Sequence, residues 1–127
     1  MSAAPIGPYS PWIRAGEWVI VSGQIGLVDG ALAEGPGAQC DAALANLAGH
    51  LADAGLAPTN VVKTTVFMVD MVDYGVVNEH YAAYFDGHRP ARAAVAVSGL
   101  PAGALVEIEA WAHDPAGVAD APAGRSD

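Results

Sequence analysis

The sequence contains few of the residues that several classes of protein require. Its 127 residues include a single cysteine, Cys40, so a disulfide within the chain is impossible and nothing indicates an oxidising compartment. No apolar run is long enough to cross a bilayer, and residues 1–8 lack the basic and apolar regions of a signal peptide. We therefore expect a cytoplasmic protein that does not insert into membranes.

Positive charge is scarce as well. Five Lys and Arg residues oppose fourteen Asp and Glu residues, which gives a formal net charge of −9. A protein that binds phosphate backbones needs clustered cations, and these five form no basic run. We therefore expect no nucleic-acid partner, and the few cations become informative.

Residues that hold metals or cofactors are equally few. The four histidines show no HExxH-like spacing, and one cysteine cannot form a Cys/His cluster. The chain has no GxGxxG motif, phosphate loop or nucleophile elbow. We expect no metal site and no organic cofactor, and we interpret Cys40, on the apolar stripe of a predicted helix, as core packing rather than a nucleophile.

The residues that are present predict one α+β domain. Apolar residues make up 53% of the chain, which is enough for a single core. Apolar spacing of three and four predicts a helix over 38–54 that ends at Gly55. A second predicted helix is capped by Asp70 or Asp73, reaches Phe85 and is stopped by Arg89-Pro90. The predicted strands are 10–15, 17–22, 24–28 with a short arm at 31–32, 61–69, 91–98 and 104–113.

The predicted order is therefore β-β-(β)-α-β-α-β-β, with each helix crossing between strands. Residues 1–113 form the predicted domain. Residues 114–127 are rich in Ala, Gly, Pro and Asp without periodicity, and we expect a flexible C-terminal tail.

Arg92 is the most informative side chain, because it interrupts a segment suited to burial. A buried guanidinium without a partner costs several kcal/mol, so either a ligand or a protein carboxylate should meet it. Alternation places the small side chains of Ala94 and Ala96 on its face, which leaves space for a bound molecule. Glu107 or Glu109 could approach Arg92 if the last two strands pair, and a structural salt bridge then remains an alternative to a binding site.

Three further polar residues are weaker candidates. Tyr9 lies two residues after Gly7, and Ser22 directly precedes Gly23. At glycines the backbone can approach a ligand closely. Turn glycines explain these positions equally well. Asn78 lies in the second predicted helix, where it could also be a surface residue.

Six spaced motifs together identify a family resemblance. Covering about residues 5–112, they resemble the RidA family, also called the YjgF family. The motifs are Ile-Gly-Pro-Tyr-Ser, Val-Ser-Gly-Gln-Ile, Val-Val-Lys-Thr-Thr-Val-Phe, Val-Asn-Glu-His-Tyr, Arg-Pro-Ala-Arg and Leu-Pro-x-Gly-Ala-x-Val-Glu-Ile-Glu.

The resemblance implies a chorismate-mutase-like subunit with both helices packed on one face of a mixed sheet. It further implies a homotrimer around a central barrel with clefts between neighbours. In deaminases of this family the residue matching Arg92 holds the substrate carboxylate, and the residue matching Glu107 positions the hydrolytic water. The matching substrate-binding positions are Tyr9, Ser22, Gly23 and Asn78.

The implied function is hydrolysis of reactive 2-imino acids or enamines to 2-keto acids and ammonia, with a small carboxylate-bearing imine, enamine or keto acid as the ligand. The alternatives are a regulatory trimer that binds 2-keto acids without turnover, and a ribonuclease or translation inhibitor, which the charge balance opposes. The chain departs from the family pattern at Ala93-Ala94, where a small polar residue often follows the arginine, and at Gly26 and Pro11.

Overall fold

Two helices pack on one face of a mixed five-stranded sheet in the computed structural model, which describes residues 5–117. This confirms the predicted α+β class. The elements are β1 (Trp12–Ala15), β2 (Trp18–Ile25), β3 (Leu27–Val28), β4 (Ala31–Leu32), α1 (Gly35–Asp53), β5 (Val61–Met68), α2 (Tyr74–Phe85), β6 (Ala91–Ala96) and β7 (Val106–His113).

The strand order of the sheet is β1-β2-β7-β5-β6, while β3 and β4 form a separate hairpin. β6 pairs parallel with β5, and the other pairs are antiparallel. The condition under which Glu107 or Glu109 could approach Arg92, that the last two strands pair, is therefore not met. α2 returns the chain to a parallel position beside β5, and β7 then pairs with the opposite edge of β5, so β5 separates β6 from β7.

Local sequence signals predicted the end of α1 correctly. Gly55 has φ of 80°, its N–H donates to Ala52 O at 2.9 Å, and Leu56 N–H donates to Leu51 O at 2.8 Å. These two bonds form a Schellman motif, which satisfies carbonyls left free at the helix end. Pro36 fits the first turn, where its missing N–H costs nothing, so α1 begins earlier than the predicted residue 38.

Of the two predicted caps of α2, Asp73 stands at its N-cap position, and the predicted end at Phe85 is confirmed. Asp70 caps the preceding 3₁₀ turn, since its Oδ1 accepts from Val72 N–H at 2.9 Å, and α2 itself starts at Tyr74. The helix stops at Phe85, before Arg89-Pro90, because Asp86 and Gly87 adopt left-handed φ of 47° and 94°.

The core lies between the helices and one face of the sheet. Cys40, Leu44, Leu47 and Leu51 of α1 are fully buried in this core. Burial raises the pKa of the Cys40 thiol to about 12, so the side chain packs as a neutral thiol, in agreement with its predicted role.

The other face of the sheet carries no helix, and we call it the open face. Trp18 and Trp111 lie on it in edge contact, with ring centroids 6.3 Å apart and with 40% and 44% of their surfaces exposed. Phe67 and Val95 lie on the same face by register. An apolar surface of this kind is characteristic of a contact with another protein chain.

Most of the predicted tail, residues 118–127, lies outside the described residues. At its start, Asp114 accepts a hydrogen bond from Arg14 Nη1 at 3.1 Å, and its N–H donates to Glu17 O at 2.7 Å.

Neither helix of the described part is long and apolar enough to cross a membrane.

Candidate functional site

Arg92 lies on β6 with its side chain on the helix-covered face of the sheet. It is paired in register with Thr64, a fully buried residue of β5. Arg92 Nη2 donates to Tyr74 Oη at 3.3 Å, and its guanidinium carbon lies 4.9 Å from the ring centroid of Tyr81. Two tyrosines of α2 therefore orient the guanidinium without neutralising its charge.

Arg92 has no carboxylate partner among residues 5–117. Ion pairs in that range join Arg14 to Asp114, His80 to Asp41 and His113 to Glu17, and none of them includes Arg92. The structural salt bridge that the sequence left open is therefore absent from the described part of a single chain. A guanidinium held by neutral tyrosines is available to bind an anion.

An open cavity of about 260 Å³ adjoins Arg92. Asn78 lines it together with Arg92, so the structure brings together two residues that the sequence analysis singled out. Tyr74, Asn78 and Tyr81 are spaced four and three apart on α2, which places them on one stripe that faces β6. The other residues that line the cavity are Tyr81, Ala82, Arg89 and Pro90.

Glu107 lies on the opposite face of the same sheet. It is paired in register with Phe67, three residues along β5 from Thr64, the partner of Arg92. Because side chains alternate along a strand, Glu107 points to the open face while Arg92 points to the helices. β5 also keeps β6 and β7 roughly 9–10 Å apart, so the expectation that Glu107 or Glu109 approaches Arg92 is wrong within one subunit.

Tyr9, Gly23 and Glu107 line a second, smaller recess. Its volume is about 30 Å³. A cavity needs about 10–15 Å³ on this measure to hold one water molecule, so one or two waters fit beside the carboxyl group. The site residues predicted from the sequence therefore separate into two groups, one around Arg92 and one around Glu107.

Gly23 lines the recess, and the preceding residue, Ser22, lies beside it without lining it. They occupy an irregularity in the pairing of β2 with β7, between Val21 and Gln24. The hydroxyl of Ser22 donates to Ser10 O at 2.7 Å, and this bond fastens the segment that carries Tyr9 to the sheet.

The carboxyl group of Glu107 is partly buried, and burial raises its pKa above the ordinary value of 4.5. The charge of Glu109 raises the pKa further. Glu107 therefore keeps its proton to higher pH than a solvated glutamate. A carboxyl group tuned in this direction is suited to exchanging protons with a substrate near neutral pH.

Gly23 is required by the position of this carboxyl group. A Cβ atom at residue 23 would lie 2.8 Å from Glu107 Cδ and from Oε2. Gly23→Ala should therefore displace the end of the Glu107 side chain, which can rotate away, while the sheet stays intact. We expect at least a tenfold loss of any activity that depends on Glu107, with a melting temperature within a few degrees of wild type.

Enzyme assays and thermal unfolding of Gly23→Ala check this prediction. Gly75→Ala is the matched control, because a Cβ at residue 75 has no atom within 4 Å. Full activity of Gly23→Ala would show that the position of the carboxyl group against Gly23 is unimportant.

Two residues near Arg92, Tyr74 and Arg89, were not predicted from the sequence as site residues. Tyr74 was overlooked because it stands at the boundary between a turn and a helix, although its spacing from Asn78 and Tyr81 was visible in the sequence. Arg89 was interpreted only as part of the helix stop. Among the described residues no group of three or more His, Cys, Asp and Glu side chains is placed to hold a metal ion.

Fold and site define an α+β domain whose sheet carries, on the helix side, an arginine without a carboxylate partner among residues 5–117 and, on the open side, a partly buried glutamate. A family model described as "Endoribonuclease L-PSP" matches residues 1–114. The chain belongs to this family, the RidA or YjgF family, as its motifs indicated.

Individual relatives agree with this assignment. The chain is 47% identical to a 2-iminobutanoate/2-iminopropanoate deaminase of Mus musculus, over 86% of this chain and 83% of that protein. The crystal structure of RidA from an Antarctic Psychrobacter has a TM-score of 0.86 at 37% identity and covers 88% of this chain and 93% of that one. TdcF of E. coli, solved with bound serine, has a TM-score of 0.85 at 34% identity, covering 88% and 92%.

Proposed function

We propose that this protein hydrolyses reactive 2-imino acids and their enamine tautomers, such as 2-iminobutanoate and 2-aminoacrylate, to 2-keto acids and ammonia. The observation that carries the proposal is the guanidinium of Arg92, which has no carboxylate partner in the described part of the chain and adjoins a cavity. The mammalian relatives named as 2-iminobutanoate/2-iminopropanoate deaminases support the choice of reaction.

In this proposal Arg92 binds the substrate carboxylate. A guanidinium donates two parallel N–H bonds to a carboxylate, which fixes the orientation of the bound acid as well as its position. The hydrogen bond to Tyr74 and the Tyr81 ring keep the guanidinium in place before the substrate arrives. Asn78 lines the same cavity and offers an amide to the imine or its carboxylate. The serine bound to E. coli TdcF also carries a carboxylate.

Glu107 acts on the water. The recess beside it has room for one or two water molecules. Water adds to the imine carbon as Glu107 accepts one of its protons, and the protonated carboxyl returns that proton to the nitrogen, which gives a carbinolamine. Glu107 then moves the hydroxyl proton of the carbinolamine to the amino nitrogen as the C–N bond breaks, so that ammonia leaves and a C=O bond forms. General acid–base catalysis of this kind contributes roughly 10²- to 10⁴-fold.

Arg92 and Glu107 can serve one substrate only if they come from different subunits, because they lie on opposite faces of the sheet within one chain. We propose a homotrimer in which the Arg92 cavity of one subunit faces the Glu107 recess of its neighbour. A head-to-tail contact between unlike surfaces closes into a ring, and a ring of three subunits gives three identical sites. The open faces of the three sheets would line the central barrel.

Substitution of Trp111 tests the trimer. Trp111→Glu places a charge on the apolar open face, where burial of an unpaired carboxylate costs several kcal/mol. We expect the variant to dissociate into monomers, which light scattering coupled to size-exclusion chromatography measures directly.

The matched control for this test is Val28→Glu, since Val28 is 54% exposed in the β3–β4 hairpin, away from the sheet. This variant should remain a trimer. If Trp111→Glu also kept the mass of a trimer, the open face would not form the contact between subunits.

Turnover separates the proposed enzyme from a trimer that only binds 2-keto acids. A PLP-dependent dehydratase generates 2-iminobutanoate from threonine, and the decay of the imine is followed with and without this protein. Acceleration by the wild type supports the deaminase. Decay at the rate of the protein-free reaction would leave only the binding function.

Ribonuclease activity, after which the family model is named, has weaker support. The net charge of −9 opposes the binding of a phosphate backbone. Cleavage of RNA that survived repurification and disappeared in Arg92→Ala would reverse this judgement.

The cytoplasmic location and the division into residues 1–113 and a tail of 114–127 remain predictions.

A further inference from the structure

A second cation lines the cavity of Arg92. Arg89 stands three residues before Arg92, in the segment between α2 and β6, and lines the same 260 Å³ cavity. Pro90 lies between the two and favours an extended backbone for Arg89, which limits the positions that its side chain can reach. Both arginines therefore line one open space.

Neither cation is neutralised within the described residues. Arg89 and Arg92 form no ion pair there, whereas Arg14 pairs with Asp114. The residues that line the cavity include no Asp or Glu. Two like charges in one small cavity repel each other, and a bound anion would relieve that repulsion. The chain has fourteen acidic residues, yet none of them lines this cavity in the described part of the chain.

The surroundings of Tyr81 also indicate that the two charges act at the same place. Burial raises the pKa of Tyr81, while its hydrogen bond to Thr64 and the charges of Arg92 and Arg89 oppose that rise. The Tyr81 hydroxyl lies 2.6 Å from Thr64 Oγ1 and is fixed in position. Both positive charges are therefore near enough to Tyr81, which also lines the cavity, to lower its pKa.

We propose that the cavity selects imino acids with a second carboxylate, such as 2-iminosuccinate and 2-iminoglutarate. Arg92 binds the carboxylate next to the imine carbon, and Arg89 binds the distal one. This assignment rests on the proposed deaminase function and adds the class of substrate. Water still replaces nitrogen at the imine carbon, so that the products are a dicarboxylic 2-keto acid and ammonia.

The test compares the two classes of imine on one enzyme. Flavin-dependent oxidases generate 2-iminoglutarate from glutamate and 2-iminobutanoate from 2-aminobutyrate, catalase removes the peroxide, and semicarbazide traps the imine that remains. We expect the wild type to prefer 2-iminoglutarate in kcat/KM. In Arg89→Gln the ratio of kcat/KM for 2-iminoglutarate over 2-iminobutanoate should fall at least tenfold, the loss of one charge-assisted contact.

Lys63→Gln is the matched control, because it removes one positive charge from the opposite face of the sheet, where Lys63 is paired with Ala91. This variant should keep the wild-type ratio. Arg89→Lys should retain part of the preference, since a point charge at residue 89 still attracts the distal carboxylate. An unchanged ratio in Arg89→Gln, or a wild type without preference for the dicarboxylic imine, overturns the assignment while leaving the deaminase function standing.

Binding measurements separate the two failures. Calorimetric titration with 2-ketoglutarate and 2-ketobutyrate reports the selectivity of the cavity without turnover. Tighter binding of 2-ketoglutarate that depends on Arg89, together with no hydrolysis of either imine, would support the dicarboxylate site and overturn the deaminase. Equal binding of the two keto acids would contradict the role of Arg89 whether or not the imines are hydrolysed.

Discussion

Arg92→Ala is expected to lower kcat/KM for 2-iminobutanoate by about 100-fold or more. The variant loses both N–H bonds to the substrate carboxylate, and one hydrogen bond to a charged group contributes roughly 1.5–3 kcal/mol. The fold should change little, because Arg92 forms no ion pair in the described chain and its contacts with the Tyr74 and Tyr81 rings contribute roughly 1 kcal/mol.

Two milder variants separate binding geometry from charge. Arg92→Lys keeps the positive charge but cannot donate two parallel bonds, so most of the activity should still be lost. Tyr74→Phe removes the hydroxyl that accepts from Arg92 and keeps the ring, and a loss of a few fold in KM is expected. Imine hydrolysis by Arg92→Ala at the wild-type rate would refute the proposed site, provided that its thermal unfolding matched that of the wild type.

Local signals in the sequence were sufficient for most elements of the fold. The apolar stripe of α1 and the Gly55 stop depend on residues within one or two turns of each other, and both are confirmed. The alternation in β7 also placed Glu107 and Glu109 correctly on the face opposite Ile108. Information of this kind is contained in short segments, so a single sequence reveals it.

The relation between Arg92 and Glu107 could not be obtained in the same way. Whether β7 pairs with β6 or with β5 depends on packing between distant segments, and the short connection between β6 and β7 suggested the wrong pair. The alternation within each strand was read correctly, yet it does not say which face of one strand matches which face of another. The strand order puts both residues in one sheet. The register of β5 with β6 and with β7 then puts their side chains on opposite faces of it.

Arg89 illustrates a second limit. In the sequence it served to end α2, and the actual stop, the left-handed pair Asp86-Gly87, precedes it. The helix ends at Phe85, as predicted, so that Arg89 lies in the segment leading into β6 and lines the cavity of Arg92. The sequence predicted the end of the helix, but not that the arginine beyond it lines a cavity, because that depends on how α2 packs beside β6.

Complementation between two inactive variants should restore activity. Arg92→Ala and Glu107→Gln each disable every site of a trimer made of that variant alone, since each site needs both groups. In trimers assembled from an equal mixture, a site is intact where the arginine of a Glu107→Gln subunit faces the glutamate of an Arg92→Ala subunit. With random assembly about one quarter of the sites meet this condition, so about a quarter of the wild-type activity should return.

The mixed trimers are prepared by refolding the two variants together or by co-expression with different tags, and imine hydrolysis is compared with that of each variant refolded alone. A mixture of Arg92→Ala with Gly23→Ala serves as a second pair, because Gly23 and Glu107 lie in the same recess and should behave alike. If both groups acted within one chain, every subunit of the mixture would carry a defective site and no activity would return. Recovery near one quarter would instead require that each site takes its arginine from one subunit and its glutamate from the next, as their positions on opposite faces of one sheet demand.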